Sequence, residues 1–218
     1  MVSSIYKKTF SVLMKRPFRL WGISLLAEFL CLVAYAGFIG VPAAAFCAAL
    51  LLSASMSMIF LNSYRTGLEP KTSYLFASFK KDRILRVLGG MAWMQLWIFL
   101  WSLIPIVGIV FGIIRMYEYR FVPYILMTRD DVKPTDAIKI SKQETMGYKG
   151  KMFGADILLG AVYLGVFLVF TLLGEIPYLG VLFRILWVLI AIAYGLLAPL
   201  FSGIMHAAFY VEIQNRRA

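Results

Sequence analysis

Residues 154–173 read GADILLGAVYLGVFLVFTLL, a run of twenty positions in which Asp156 is the only charged residue. An α-helix needs about 20 consecutive apolar residues to cross the hydrocarbon core of a bilayer. The strands of a membrane barrel would instead alternate apolar and polar residues over about ten positions, and this run does not alternate. The stretch therefore predicts a transmembrane helix.

The rest of the chain has the same apolar character. Of its 218 residues, 61% are hydrophobic and 15% are charged, and the mean hydropathy is +0.82. Soluble domains are about half apolar, so this composition indicates an integral membrane protein. Six runs have spanning length: 21–39, 43–61, 87–103, 106–127, 154–173 and 178–203.

Short joints containing proline connect these runs in pairs, at 40–42, 104–105 and 174–177. Such joints favour tight turns. We therefore expect an all-α, polytopic membrane helix bundle with six transmembrane helices arranged as three hairpins. Ile-Pro-Ile-Val-Gly at 104–108 is echoed by Ile-Pro-Tyr-Leu-Gly at 176–180. Parallel repeats and independent selection of the same turn residues explain this echo equally well.

The distribution of charge predicts the direction of the spans. The chain has 22 Lys and Arg against 11 Asp and Glu, a formal net charge of +11. Nearly all the cations lie before the first run, in the two long connections, or after the last run, and the three joints contain none. By the positive-inside rule, both termini are expected in the cytoplasm. We expect no nucleic-acid partner, because no basic stretch has a recognition motif on a soluble fold.

Within one integral-membrane domain, 1–218, two amphipathic segments are expected beside the spans. The first is an interfacial helix with Tyr6, Phe10, Leu13, Met14 and Pro17 on one face. The second is a short helix at 135–146 that Gly147 stops. Along the chain, we expect the domain to divide into seven parts: 1–19 (interfacial helix), 20–62 (first hairpin), 63–86 (cytoplasmic basic loop), 87–127 (second hairpin), 128–153 (cytoplasmic loop with the short helix), 154–203 (third hairpin) and 204–218 (cytoplasmic tail).

Ionisable side chains inside the runs are the candidate functional residues, because charges in hydrocarbon are costly and usually face a bundle interior or a ligand. At a rise of about 1.5 Å per residue, Glu28 and Arg115 fall at similar depths, and so do Arg120 and Asp156. Two interhelical ion pairs are predicted on this basis. The candidate ligand-binding residues are Glu28, Arg115, Glu118, Arg120, Asp156 and Arg184.

Two interpretations of these charges stay open. The charges can have a purely structural role, in which the ion pairs stabilise the helix bundle or the arginines extend to the lipid headgroups. Alternatively, Glu28, Arg115 and Glu118 can line an inward-facing polar cavity that a kink at Pro123 opens. Arg184 has Glu175 as its obvious partner on the outer side. Basic residues of the inner loops are expected to bind lipid headgroups: Lys80, Lys81, Arg83, Lys149 and Lys151.

Enzymatic chemistry is not expected from this sequence. His206 is the only histidine, which excludes a zinc motif with paired histidines, and there is no Gly-rich phosphate loop ending in Lys-Ser or Lys-Thr. We predict no metal and no cofactor. Cys31 and Cys47 lie in apolar runs and are expected to be free thiols. A remaining alternative is an intramembrane enzyme with Glu118 or Asp156 as the acid.

Three stretches in the middle of the chain carry a family resemblance. They are Ser-Phe-Lys at 78–80, the segment 100–105 leading to 117–126, and 137–153, within which Ala137, Ser141, Met146, Gly147, Lys149 and Phe153 match. Over roughly 78–160, with a weaker ending at Pro199 and 208–210, the chain resembles an uncharacterised bacterial integral-membrane family designated domain of unknown function nine-seven-five. The resemblance implies a multi-pass protein of the bacterial cytoplasmic membrane without an assigned activity or assigned site residues.

The leading functional hypothesis is a protein that binds a lipid or amphiphilic anionic ligand, with translocation as its extension. Its basis is the charges in the spans, the inner basic residues and the interfacial helix. Anionic inner-leaflet lipids are the expected partners. The alternative is an accessory or immunity-like protein that contacts another membrane protein, or a second copy of itself, through small residues of the second run at Ala45, Ala49 and Ser53.

Overall fold

A computed structural model describes residues 1–15, 17–37, 42–67, 71–105, 107–176 and 178–217. The fold of these residues is all-helical, with one 3-10 helix at Thr72–Phe79. The α-helices in chain order are α1 (Val2–Lys15), α2 (Pro17–Gly37), α3 (Pro42–Thr66), α4 (Ile84–Ser102), α5 (Gly108–Glu118), α6 (Val122–Thr128), α7 (Pro134–Thr145), α8 (Lys149–Leu173) and α9 (Gly180–Asn215).

Five of the described helices are long and apolar enough to cross a membrane. Their spanning segments are Phe18–Gly37, Pro42–Thr66, Ile84–Ser102, Lys149–Leu173 and Gly180–Asn215. The C-terminal half of α8 and the N-terminal half of α9 expose many apolar side chains, with Val162 60% exposed and Leu172 73% exposed. Apolar surface of this extent is characteristic of contact with a membrane or a partner, so the fold is compatible with a membrane protein.

The predicted fourth span differs from the structure. The sequence predicts one helix over 106–127, but the structure has the 11-residue α5 and the 7-residue α6, separated by a turn at 119–121. Pro123 lacks the N–H that would continue the helix, and the N–H of Val122 donates to the Tyr119 carbonyl at 3.0 Å. Neither helix has the length of about 20 residues that a span requires, so the six-span arrangement stays a prediction.

Hydroxyl groups of α7 satisfy the backbone at this turn. Ser141 donates to the Glu118 carbonyl at 2.7 Å, and Thr145 donates to the same oxygen at 3.3 Å. The N–H of Phe121 in turn donates to Ser141 Oγ at 3.2 Å. All of these groups are buried, and a buried backbone group without a partner is costly. The short helix predicted at 135–146 therefore stabilises the turn that separates α5 from α6.

The main core lies where α3 packs against both α6 and α9. Phe121, Ile125 and Leu126 are fully buried there. The ring of Tyr210 on α9 lies 5.2 Å from that of Phe121 and 5.1 Å from that of Tyr124. Such aromatic pairs stabilise a core beyond the area that they bury. The interrupted helix is thus enclosed by the bundle at this end of the molecule.

Both ends of the chain are helical and packed. The sequence predicts a tail at 204–218, but α9 continues to Asn215, and residues 204–210 are buried because this end of α9 packs against α1 and α3. α1 forms as expected, although its buried positions are Ile5, Thr9 and Leu13, whereas Phe10 and Met14 of the predicted apolar face are exposed.

Among the shorter predicted features, the helix at 135–146 is observed as α7. It ends immediately before Met146 and Gly147, and Gly147 has φ +81°, a backbone conformation that favours glycine at a helix end. α2 packs against α3, α4 against α5, and α8 against α9. The first predicted joint, 40–42, lies mostly outside the described residues, as do Ile106 and Pro177.

Candidate functional site

The first candidate site is a polar cluster around Asp156 of α8. Its carboxylate accepts hydrogen bonds from Tyr117 Oη at 2.7 Å, from Arg120 Nη2 at 3.2 Å and from His206 Nε2 at 2.9 Å. The Arg120 guanidinium also lies 4.8 Å from the centre of the Tyr117 ring. The predicted ion pair between Arg120 and Asp156 is therefore present and joins α8 to the turn after α5, while His206 connects α9 to the same carboxylate.

The hydrogen bonds of this cluster fit a neutral His206. With its proton on Nε2, the imidazole donates to Asp156, and its Nδ1 can accept from Arg120 Nη1 at 3.5 Å. The His206 side chain is also buried. Arg120 and Asp156 then balance each other, so the cluster has no net charge. The cluster is therefore suited to holding neighbouring helices together.

The second candidate site surrounds Glu118, whose side chain is 5% exposed. Its carboxylate is hydrogen-bonded by Arg115 on one oxygen and by Lys149 Nζ on the other, at 2.5 Å for the lysine. The Arg115 guanidinium lies 4.4 Å from the centre of the Trp101 ring, a cation–π geometry. Two cations share one carboxylate, so one positive charge is in excess at this site.

The predicted pair between Glu28 and Arg115 is wrong. Arg115 binds Glu118, three positions further along its own helix, and α5 packs against α4, α7 and α8. Helix α2, which carries Glu28, packs instead against α3 and α9. Within the described residues, no cation lies within 4 Å of the Glu28 carboxylate. Glu28 borders a separate cavity between α2, α3 and Pro199.

The remaining predicted residues lie apart from these two clusters. Arg184 is 3.6 Å from Glu175, its expected partner, and both side chains are exposed. Arg83 and Arg86 both bind Asp130, each at 2.6 Å. Lys80 and Lys81 are exposed, and Lys151 lies 5.2 Å from the centre of the Tyr148 ring.

An apolar cleft leads to the Glu118 site. It has a volume of about 370 Å³ and runs between α5 and α8. Its walls are Val110, Ile113, Ile114, Tyr117, Gly150 and Phe153, and Lys149 borders it as well. A second apolar cleft, of about 510 Å³, is bordered by α1, α2, α8 and α9. Among the described residues that line the two clefts, a cation occurs only in the wall of the first.

Sequence reasoning missed three contributors to these sites. Tyr117, Trp101 and His206 contact the charged residues of these clusters, but none of them is among the candidate ligand-binding residues that the sequence gives. The spacing of Tyr117 and Arg120 was an available signal, since residues three apart share a helix face. No signal in the sequence brings His206 of α9 to Asp156 of α8, because that contact depends on how the two helices pack.

The small-residue surface that could contact a partner is partly covered within the chain. Ala45 is buried, and Ser53 borders the Glu28 cavity. Among the described residues, no group of three or more His, Cys, Asp or Glu side chains is arranged to hold a metal ion. No family model, curated protein or solved structure matches this chain.

Proposed function

We propose that this protein binds an anionic lipid in the cleft between α5 and α8, with an acyl chain along the cleft and the headgroup phosphate at Lys149. The observation that carries the proposal is the excess positive charge at the end of an apolar cleft. Arg115 and Lys149 share the single carboxylate of Glu118, and the walls that lead to Lys149 are apolar apart from the hydroxyl of Tyr117.

The headgroup end has room and charge for a phosphate. Lys149 begins α8, and its side chain is 32% exposed although it contacts Glu118. Gly150 follows it and leaves open space where a side chain would project, and Lys151 is exposed one position further. Anionic lipids are attracted to basic residues at the cytoplasmic surface of a membrane by about 1 kcal/mol each.

The proposal includes a membrane setting. We infer a multi-pass protein of the bacterial cytoplasmic membrane, with six crossings and both termini in the cytoplasm. The distribution of Lys and Arg supports this orientation, and the resemblance to the uncharacterised family supports the bacterial setting. In this arrangement α5 and α6 cross the membrane together, with their turn covered by α7.

The proposed lipid site includes only some of the charged residues singled out in the sequence. Arg115, Glu118 and Lys149 belong to it. Arg120 and Asp156 instead pair with each other, and Glu28 lies in another cavity. Translocation of the bound lipid is the extension of this proposal, and lipid flux in vesicles that contain the purified protein would test it.

Native mass spectrometry with added phosphatidylglycerol or phosphatidylcholine tests the proposed lipid site. We expect phosphatidylglycerol to remain bound to the wild type, and Lys149→Gln to reduce this adduct about fivefold. Lys142→Gln is the matched control, because Lys142 is an exposed lysine of α7 outside the cleft. Equal retention of the two lipids, or equal adducts in the two variants, would contradict the proposal.

A further inference from the structure

We propose that Glu28 and the cavity beside it form a second binding site, which accepts a lipophilic organic cation. This site is separate from the cleft between α5 and α8, and it takes a ligand of the opposite charge. Three features of the described residues lead to this inference: the unpaired carboxylate, the shape and lining of the cavity, and an unpartnered hydroxyl.

Glu28 differs from the other described glutamates. Each of the others has an arginine or lysine within 4 Å: Glu118, Glu144, Glu175 and Glu212. Within the described residues, Glu28 has neither an ion-pair partner nor a side-chain hydrogen bond. It also lies near the middle of α2, the depth at which an uncompensated charge is most costly in a bilayer.

The cavity beside Glu28 is large enough for an organic molecule. It has a volume of about 540 Å³ and lies between α2, α3 and α9. Leu52, Phe60 and Pro199 are among its apolar walls, and Ser24, Ser53 and Tyr35 supply hydroxyl groups. Ligand sites commonly combine apolar walls with a few polar groups that fix orientation.

One unsatisfied polar group in the cavity wall also supports a ligand site. The hydroxyl of Ser24, one helical turn before Glu28, is buried without a hydrogen-bond partner in the described part of the chain. A ligand in the cavity can supply that partner while its positive charge compensates the carboxylate. The rings of Phe60 and Tyr35 add surfaces on which a cation is favoured.

The donor set fits an organic cation better than a divalent metal ion. Calcium takes six to eight oxygen ligands, whereas the described lining of this cavity offers one carboxylate and three hydroxyl groups among apolar side chains. A cation with an apolar body matches both the single negative charge and the apolar walls.

Equilibrium dialysis of tetraphenylphosphonium against the protein in phosphatidylcholine nanodiscs tests this site. Empty nanodiscs measure partition into lipid. We expect saturable binding to the wild type, and Glu28→Gln, which keeps the shape of the side chain and removes its charge, should raise the Kd at least tenfold, or about 1.4 kcal/mol. The neutral analogue tetraphenylsilane should bind equally to the wild type and to this variant.

Glu212→Gln is the matched control, since it removes a carboxylate that is paired with Arg216 outside the cavity. This variant should bind tetraphenylphosphonium like the wild type. The proposal is overturned if the wild type shows no saturable binding beyond empty nanodiscs, or if Glu28→Gln and Glu212→Gln have the same Kd.

Discussion

Glu28 and Glu118 are the same residue type in two opposite environments. Glu118 is nearly buried and is hydrogen-bonded by two cations, whereas the described residues place no cation beside Glu28. Removing one partner of a buried ion pair leaves the other charge uncompensated, which costs about 3 kcal/mol or more. In the proposed membrane setting Glu28 is an isolated charge in hydrocarbon, and removing such a charge is favourable. One substitution should therefore have opposite effects at the two positions.

We predict that Glu118→Gln lowers the free energy of unfolding by about 3 kcal/mol, because Arg115 and Lys149 then lie together without a carboxylate. Glu28→Gln should raise the midpoint of thermal unfolding in detergent. Intrinsic tryptophan fluorescence during heating measures both changes. If the two variants shift the midpoint in the same direction, the assigned environments of these glutamates are incorrect.

At the residue scale, depth along a helix predicted only part of the charge pairing. It correctly paired Arg120 with Asp156 but wrongly paired Arg115 with Glu28. Depth gives no information about which side of a helix faces which neighbour. A nearer carboxylate, Glu118, was available to Arg115 at a spacing of three, and this local contact is the one that forms.

The α5–α6 turn is the element that the sequence described least well. Apolar residues continue through it, so a hydropathy pattern predicts an uninterrupted helix, with Pro123 as a kink. The structure has a full break because the Ser141 and Thr145 hydroxyls replace the missing helical partners of the backbone. These contacts join segments about 20 residues apart in sequence and have no signature in local periodicity. By contrast, α7 and its end at Gly147 follow from local signals and were predicted correctly.

At this turn, Ser141→Ala should destabilise the fold by about 1 to 3 kcal/mol, because the Phe121 N–H loses its acceptor and the Glu118 carbonyl loses a donor in a buried site. Ser57→Ala serves as the control, since Ser57 only bonds back to the carbonyl of Ser53 on its own exposed helix turn. Chemical or thermal unfolding in detergent measures the difference. Equal stability of the two variants would show that the hydroxyl of Ser141 does not hold the turn.

For the whole molecule, composition predicted the helical, apolar character but not the position of the core. The main core contains residues of α3, α6 and the last part of α9, while the C-terminal half of α8 and the N-terminal half of α9 expose their apolar surface. Hydropathy assigns the same apolar character to both regions. The buried end of α9 was predicted as a tail because polar and charged residues, such as His206, interrupt its apolar sequence, although the segment packs in the core.

The number of crossings fixes the relative position of the termini. Six crossings, with α5 and α6 passing through together, place both termini on one side, whereas five place them on opposite sides. We predict that cysteines at Ser3 and Arg217, each introduced alone after Cys31 and Cys47 are replaced, react with a membrane-impermeant maleimide only after cell disruption. A cysteine at Glu175 should react in intact cells. Reaction of just one terminus in intact cells would establish an odd number of crossings.

The most direct test of the lipid site is to fill the cleft between α5 and α8 without changing its charge. Gly150→Phe does this, because a side chain at Gly150 meets no neighbouring atom within 4 Å where it leaves the backbone. Gly160→Phe adds the same ring to the same helix at a position that is equally open and outside the cleft. Native mass spectrometry should show that phosphatidylglycerol is lost from Gly150→Phe and retained by Gly160→Phe. Full retention by Gly150→Phe, with Lys149 still present, would contradict lipid binding in this cleft.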